Sequence, residues 1–101
     1  MNITAVKNGG RMVIKVRERF DFNVHREFRE AANEALQAGT AGEVVVDLSD
    51  TAYLDSSALG MLLVLRDRAA QTHRSVVIAN SRGAVRQVLE IANFAKLFRF
   101  D

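Results

Sequence analysis

Two short apolar alternations open the chain. Ile3-Thr4-Ala5-Val6 and Met12-Val13-Ile14-Lys15-Val16 flank Asn8-Gly9-Gly10. Asn and Gly supply the positive-φ positions that a tight turn needs, so the pattern predicts a β-hairpin. From Asn23 the period lengthens to that of a helix. Val24, Phe28, Ala31, Ala32, Ala35 and Leu36 share one stripe, with Arg26, Glu27, Arg29, Glu30 and Glu34 mostly opposite. Either Asp21 or Asn23 is placed to cap its start, and Gly39 stands where a C′ glycine is expected.

Glu43-Val44-Val45-Val46-Asp47-Leu48 is a β-branched run of the kind buried on both faces, which predicts a central parallel strand. Ser49-Asp50-Thr51-Ala52 reads as a polar loop leading into Tyr53-Leu54-Asp55-Ser56-Ser57. A second helix is expected over residues 57–70, with Leu59, Leu62, Leu63, Leu65 and Ala69 available for burial. Residues 75–79 form another buried-type strand. Asn80-Ser81-Arg82-Gly83 then leads into a third helix that turns Val85, Val88, Leu89 and Ala92 inward. The aromatic tail, residues 94–100, supplies a last short element packed on the core. The order ββαβαβα predicts an α/β fold, a mixed β-sheet with helices whose parallel crossovers are right-handed.

Composition narrows the functional classes. At 101 residues, 49% hydrophobic and 26% charged, the chain is expected to be one domain over residues 1–101 with its own core. It has no cysteine, which excludes disulfides, thiolate metal sites and thiol catalysis. Neither an apolar run of about 18 residues nor the h-region of a signal peptide occurs, so the expected place of action is the cytoplasm, without a membrane. A net charge of +2 is too balanced to imply direct nucleic-acid binding. His25 and His73 have no acidic partner at relay or metal-site spacing and read as solvated surface histidines. No phosphate-binding glycine loop or nucleophile elbow is present. Nothing builds a nucleophile with its base, and the expectation is a protein that is not an enzyme.

One segment stands apart, Asp47-Leu48-Ser49-Asp50-Thr51-Ala52-Tyr53-Leu54-Asp55-Ser56-Ser57-Ala58-Leu59-Gly60. A strand feeds a polar turn, which delivers an acid and two hydroxyls to a helix N-terminus. Capping alone accounts for such residues. One residue suffices to cap, however, and three are present. A phosphoryl group on a hydroxyl there would meet unpaired N–H groups at the positive end of the helix dipole.

This segment resembles the signature of STAS domains, specifically bacterial single-domain anti-sigma factor antagonists. The likeness extends to Arg19-Phe20-Asp21, to the strand end Val77-Ile78-Ala79-Asn80, and to residues 85–92 with their phenylalanine-rich finish. The resemblance implies the STAS fold and a partner switch. Unphosphorylated, such a chain binds an anti-sigma serine kinase; phosphorylation of Ser56 releases it, and a metal-dependent serine phosphatase restores it. Nucleotide and magnesium belong to the kinase, so no cofactor is expected here. Asp55 corresponds to the acidic neighbour in the docking surface, Ser57 to the second hydroxyl, and Asp21 to an acid beside the phosphosite. Asn80 and Ser81 correspond to a neighbouring strand end in the partner-binding set. Ala58 departs from the glycine of many relatives, which should only stiffen the helix start. Two other roles stay open: a constitutive subunit of a lipid-transport or stress-sensing assembly, and a nucleotide- or small-ligand-binding module.

Overall fold

A computed structural model of the chain describes residues 2–38 and 42–101. The expected hairpin forms from β1 (Ile3–Asn8) and β2 (Arg11–Val16). Asn8 faces Arg11 across a two-residue turn, where Gly9 takes a φ of +65°. That left-handed conformation is what a two-residue hairpin loop demands and what glycine adopts without steric cost. A three-residue strand, β3 (Glu18–Phe20), follows, then a single 3-10 turn at Phe22–Val24 and helix α1 (His25–Gln37). The chain continues through β4 (Val44–Asp47), β5 (Thr51–Leu54), α2 (Ser56–Gln71), β6 (Val76–Ala79), α3 (Gly83–Ile91), a 3-10 turn at Phe94–Lys96 and β7 (Arg99–Phe100).

The main sheet has the order β1-β2-β4-β6-β7, antiparallel within the hairpin and parallel elsewhere. The α/β mixed sheet with three helices is thus the expected architecture, enlarged by three short strands. β7 is the ordered end of the aromatic tail. β3 and β5 form a separate two-stranded parallel ribbon, so the stretch read as a polar loop at Ser49–Ala52 is half strand. Its side chains do not alternate in hydrophobicity: Thr51 and Leu54 are buried, whereas Ala52 and Tyr53 are exposed. The Thr51 hydroxyl donates to the carbonyl of Val16 at 2.7 Å, which ties the ribbon to the end of β2.

Burial follows the periodicity in most elements. α1 buries Phe28, Ala31, Ala32 and Ala35, and the rings of Phe20 and Phe28 lie 5.0 Å apart. The triple valine of β4 is fully enclosed, as a strand flanked on both sides should be. Each such side chain contributes about 1.5–3 kcal/mol by leaving water. α2 departs from expectation. It buries Ala58, Leu62, Leu65 and Ala69, but leaves Leu63 and Val64 at the surface. Its first helical residue is Ser56, one earlier than the pattern suggested.

Two terminations are well defined chemically. α2 closes with His73 at φ +58°, the His73 amide donating to Ala70 (3.0 Å) and the Arg74 amide to Ala69 (2.9 Å). This is the Schellman pattern, with histidine where glycine is usual. Arg74 itself is buried. Its guanidinium donates through Nε to the carbonyl of Gly42 (3.0 Å) and through Nη1 to that of Ala35 (3.0 Å), near the end of α1. A buried cation is stabilised there by the negative end of the helix. The cap expected at Gly39 lies outside the described residues.

Candidate functional site

Parallel pairing in the ribbon sets Phe20 opposite Leu54, so the chain leaves both strands at the same end. The residues that follow are Asp21 and Asp55. The Asp55 amide donates to the Phe20 carbonyl at 3.3 Å, which locks the two exits together. Asp55 is extended (φ −118°, ψ −175°), and its carboxylate accepts the amide of Ala58 at 3.2 Å. It is therefore the N-cap of α2.

That assignment answers the redundancy seen in the sequence. With Asp55 capping, Ser56 becomes the first helical residue and is exposed, while Ser57 is half-buried. The Ser56 hydroxyl makes no hydrogen bond among the described residues. Asp55 takes the Ala58 amide, so the first-turn amides left without an acceptor among the described residues are those of Ser56 and Ser57.

Asp21 differs from expectation. It is only 7% exposed, and both carboxylate oxygens are engaged, by the Asn23 amide (3.0 Å) and by Arg19 Nε (3.1 Å). It caps the 3-10 turn that launches α1 and presents little of itself to a partner. Arg19 in turn lies 4.1 Å over the ring of Tyr53, its neighbour across the ribbon.

Asn80 and Ser81 are also placed differently from the reading of them as docking residues. Ser81 is buried, 8% exposed, so its hydroxyl is withdrawn from any docking surface. Asn80 is exposed, but its amide donates to Asp47 Oδ1 at 3.1 Å, and Arg82 donates to the Ser49 carbonyl at 2.9 Å. These bonds secure the turn between β4 and β5 and do not reach the start of α2. Partial burial pushes the Asp47 carboxyl up, but hydrogen bonds from Asn80 and from the Ser49 amide and hydroxyl, with the charge of Lys15, outweigh it and hold the group below its ordinary value.

Beside Ser57 opens a feature that the sequence reading missed. A groove of about 430 Å³ runs between α1 and α2. Phe28 and Leu65 line its depth, and Phe22, Met61 and Val64 its walls. Phe22 is 63% exposed and Val64 58%, large values for apolar side chains. Phe22 stacks on His25 with centroids 4.3 Å apart, and His25 Nδ1 donates to the Phe22 carbonyl at 2.8 Å. Arg29 and Arg68 also line the groove. Neither makes an ion pair among the described residues. Gly60 lies in the same lining, and a Cβ added there would meet nothing within 4 Å. A glycine inside a helix costs about 1 kcal/mol relative to alanine. The signals for this groove were Phe22, Val64 and Gly60, an apolar set without an inward partner.

Comparison with known proteins agrees with this architecture. The family model described as "Mlab, STAS domain" matches residues 3–99. A STAS-domain containing protein of Pseudomonas aeruginosa (strain UCBPP-PA14) is 45% identical over 103 residues, covering all of both chains. Among solved structures, the Thermotoga maritima protein TM1081 superposes with a TM-score of 0.84 at 14% identity, over 97% of this chain and 84% of that one. The anti-sigma factor antagonist SpoIIAA in its unphosphorylated form gives 0.73 at 14% identity, over 98% and 86%.

Proposed function

The chain belongs to the STAS domain family, and from that premise we propose that it is an anti-sigma factor antagonist, the phosphorylatable partner in a bacterial partner switch. In this reading residues 1–101 are one STAS domain acting in the cytoplasm. Unphosphorylated, it binds an anti-sigma serine kinase and frees whatever that kinase holds. The kinase, carrying ATP and magnesium, transfers the γ-phosphoryl group to the Ser56 oxygen, releasing ADP and the hydroxyl proton. The complex then weakens, and a metal-dependent serine phosphatase hydrolyses the ester to restore the binding form. The chain is substrate and ligand, not catalyst.

The observation that carries the proposal is the division of labour at the start of α2. Asp55 performs the capping, which leaves the exposed Ser56 hydroxyl without a structural task. A phosphoryl group there would add about −1.5 to −2 charges at neutral pH. The helix start would tolerate it, because first-turn amides bind anions. Beside the Asp55 carboxylate it would change the charge of a docking face without unfolding the domain. SpoIIAA, of the same fold, has solved structures in unphosphorylated and phosphorylated forms.

The test is the intact mass and phosphopeptide map of the protein isolated from its own cells, with Ser56→Ala as control. One phosphoryl addition at Ser56, absent from the variant, is the expected result. Modification at Ser57 instead would keep the switch and overturn the residue. No phosphorylation in any growth condition would overturn the switch in favour of a constitutive scaffold or a ligand-binding subunit.

A further inference from the structure

The lining of the α1–α2 groove selects the chemistry of an occupant. Its apolar depth and its exposed Phe22 and Val64 call for apolar side chains. Arg29 and Arg68, without ion-pair partners among the described residues, call for carboxylates beside them. Along α2 the lining extends from Ser57 to Arg68, about 16 Å or three helical turns. A concave trough of that length suits a convex rod rather than a flat membrane surface.

Gly60 adds an independent observation. Among the described residues nothing comes near enough to forbid a side chain there, so their packing gains nothing from glycine and the helix loses stability by having it. The missing side chain makes sense as clearance for something outside the molecule. A two-fold pairing of this face with itself would bring two cationic rims together, which disfavours a second copy as the occupant.

We propose that the groove between α1 and α2 receives an acidic amphipathic helix of the protein partner, its backbone passing over Gly60 and its carboxylates flanking toward Arg29 and Arg68. This rests on the reading of the chain as a partner-binding module, but it requires no phosphorylation. The helix meets the surface through apolar residues at i, i+3 or i+4, and i+7, the arrangement by which helices occupy grooves.

The experiment uses the full chain carrying Ser56→Ala, so that failure of the phosphorylation reading cannot disturb it. Two fluorescent 16-residue helical peptides with the same leucine stripe serve as probes, one flanked by glutamate and one by lysine. Anisotropy should show the acidic peptide binding at least tenfold tighter than the basic one. Gly60→Ala should raise the unfolding midpoint yet weaken that binding at least threefold, and Gly60→Leu should weaken it at least tenfold. Arg29→Glu with Arg68→Glu should reverse the preference. Equal binding of the two peptides, no binding of either up to millimolar concentration, or binding indifferent to Gly60→Ala would each overturn the proposal. So would dimerisation of the chain that Gly60→Leu abolishes, since the occupant would then be a second copy.

Discussion

The amide of Asp55 donates to the carbonyl of Phe20 at 3.3 Å, so the residue that caps α2 is fastened to the one that precedes Asp21. Two carboxylates that look alike in sequence thereby take different tasks. Asp21 is closed in by Arg19 and the Asn23 amide and shapes the entry to α1. Asp55 holds the first turn of α2 and leaves Ser56 outside.

Removing the Asp55 carboxylate should act on stability first. Asp55→Ala is expected to cost about 1 kcal/mol, whereas Asp55→Ser, which keeps an acceptor, should recover most of it. Urea unfolding midpoints with an unchanged denaturant slope check both.

Substitutions at Ser56 should spare the fold and change binding. Ser56→Asp is expected to keep the thermal midpoint within roughly 2 °C while weakening the serine kinase complex about tenfold or more. Ser56→Ala should bind constitutively. Calorimetric titration against the kinase, once it is isolated, reads both; a folded Ser56→Ala that fails to bind would mean the unmodified hydroxyl takes part in docking.

His73 holds φ +58° at a position that favours glycine. Left-handed backbone costs a non-glycine residue about 1–2 kcal/mol, part of which glycine returns through its greater unfolded freedom. His73→Gly should therefore stabilise the protein by roughly 0.5–1 kcal/mol. A lower melting temperature for this variant would contradict the Schellman assignment.

Arg74→Met should be costly despite the similar length of the side chain. It strips charged donors from the carbonyls of Ala35 and Gly42. Leaving these acceptors unpaired, that of Ala35 buried and that of Gly42 partly so, is expected to cost about 2–4 kcal/mol in chemical denaturation.

Asp47 makes a pH-dependent contribution. Its carboxyl is held below the ordinary 3.8, so its protonated form is disfavoured in the folded state. The stability it confers is therefore present above the ordinary value and lost as the pH falls through the lowered one. Melting temperatures from neutral to about pH 2.5 should show wild type above Asp47→Asn at neutrality, with the gap narrowing in acid. A gap that widens in acid would reverse the sign.

The hairpin was legible from its alternation, α1 and α3 from their helical period, the central strands β4 and β6 from continuous β-branched runs, and α2 from an apolar run behind a capping acid, although its buried face was only partly foreseen. The serine pair at the start of α2 was legible too, from its position after a strand and before an apolar helix. What escaped has physical reasons. β5 lacks alternation, and β3 is three residues long with Glu18 at φ +64°, so neither shows a strand period. Arg74 reaches backbone carbonyls 32 and 39 residues away, which no local pattern can encode. Asp21 and Ser81 entered the partner-binding set through the family resemblance, which carries positions and not burial, and tertiary packing covers both. The groove escaped because an apolar helix such as α2 does not itself say which of its faces another element covers: Leu65 is buried and Val64 is not.

The ribbon of β3 and β5 has a dynamic consequence. Its strands are three and four residues long and stand outside the five-stranded sheet, so little hydrogen bonding resists their separation. Short elements of this kind open locally at free energies well below that of global unfolding. Amide hydrogens of Glu18 and Asp55, bonded to Asp50 and Phe20, should exchange with solvent deuterium far sooner than those of β4 and β6. Ser56, already exposed, therefore follows directly on a segment expected to open before the core does, so a protein docking there meets backbone that reshapes more readily than the strands behind it.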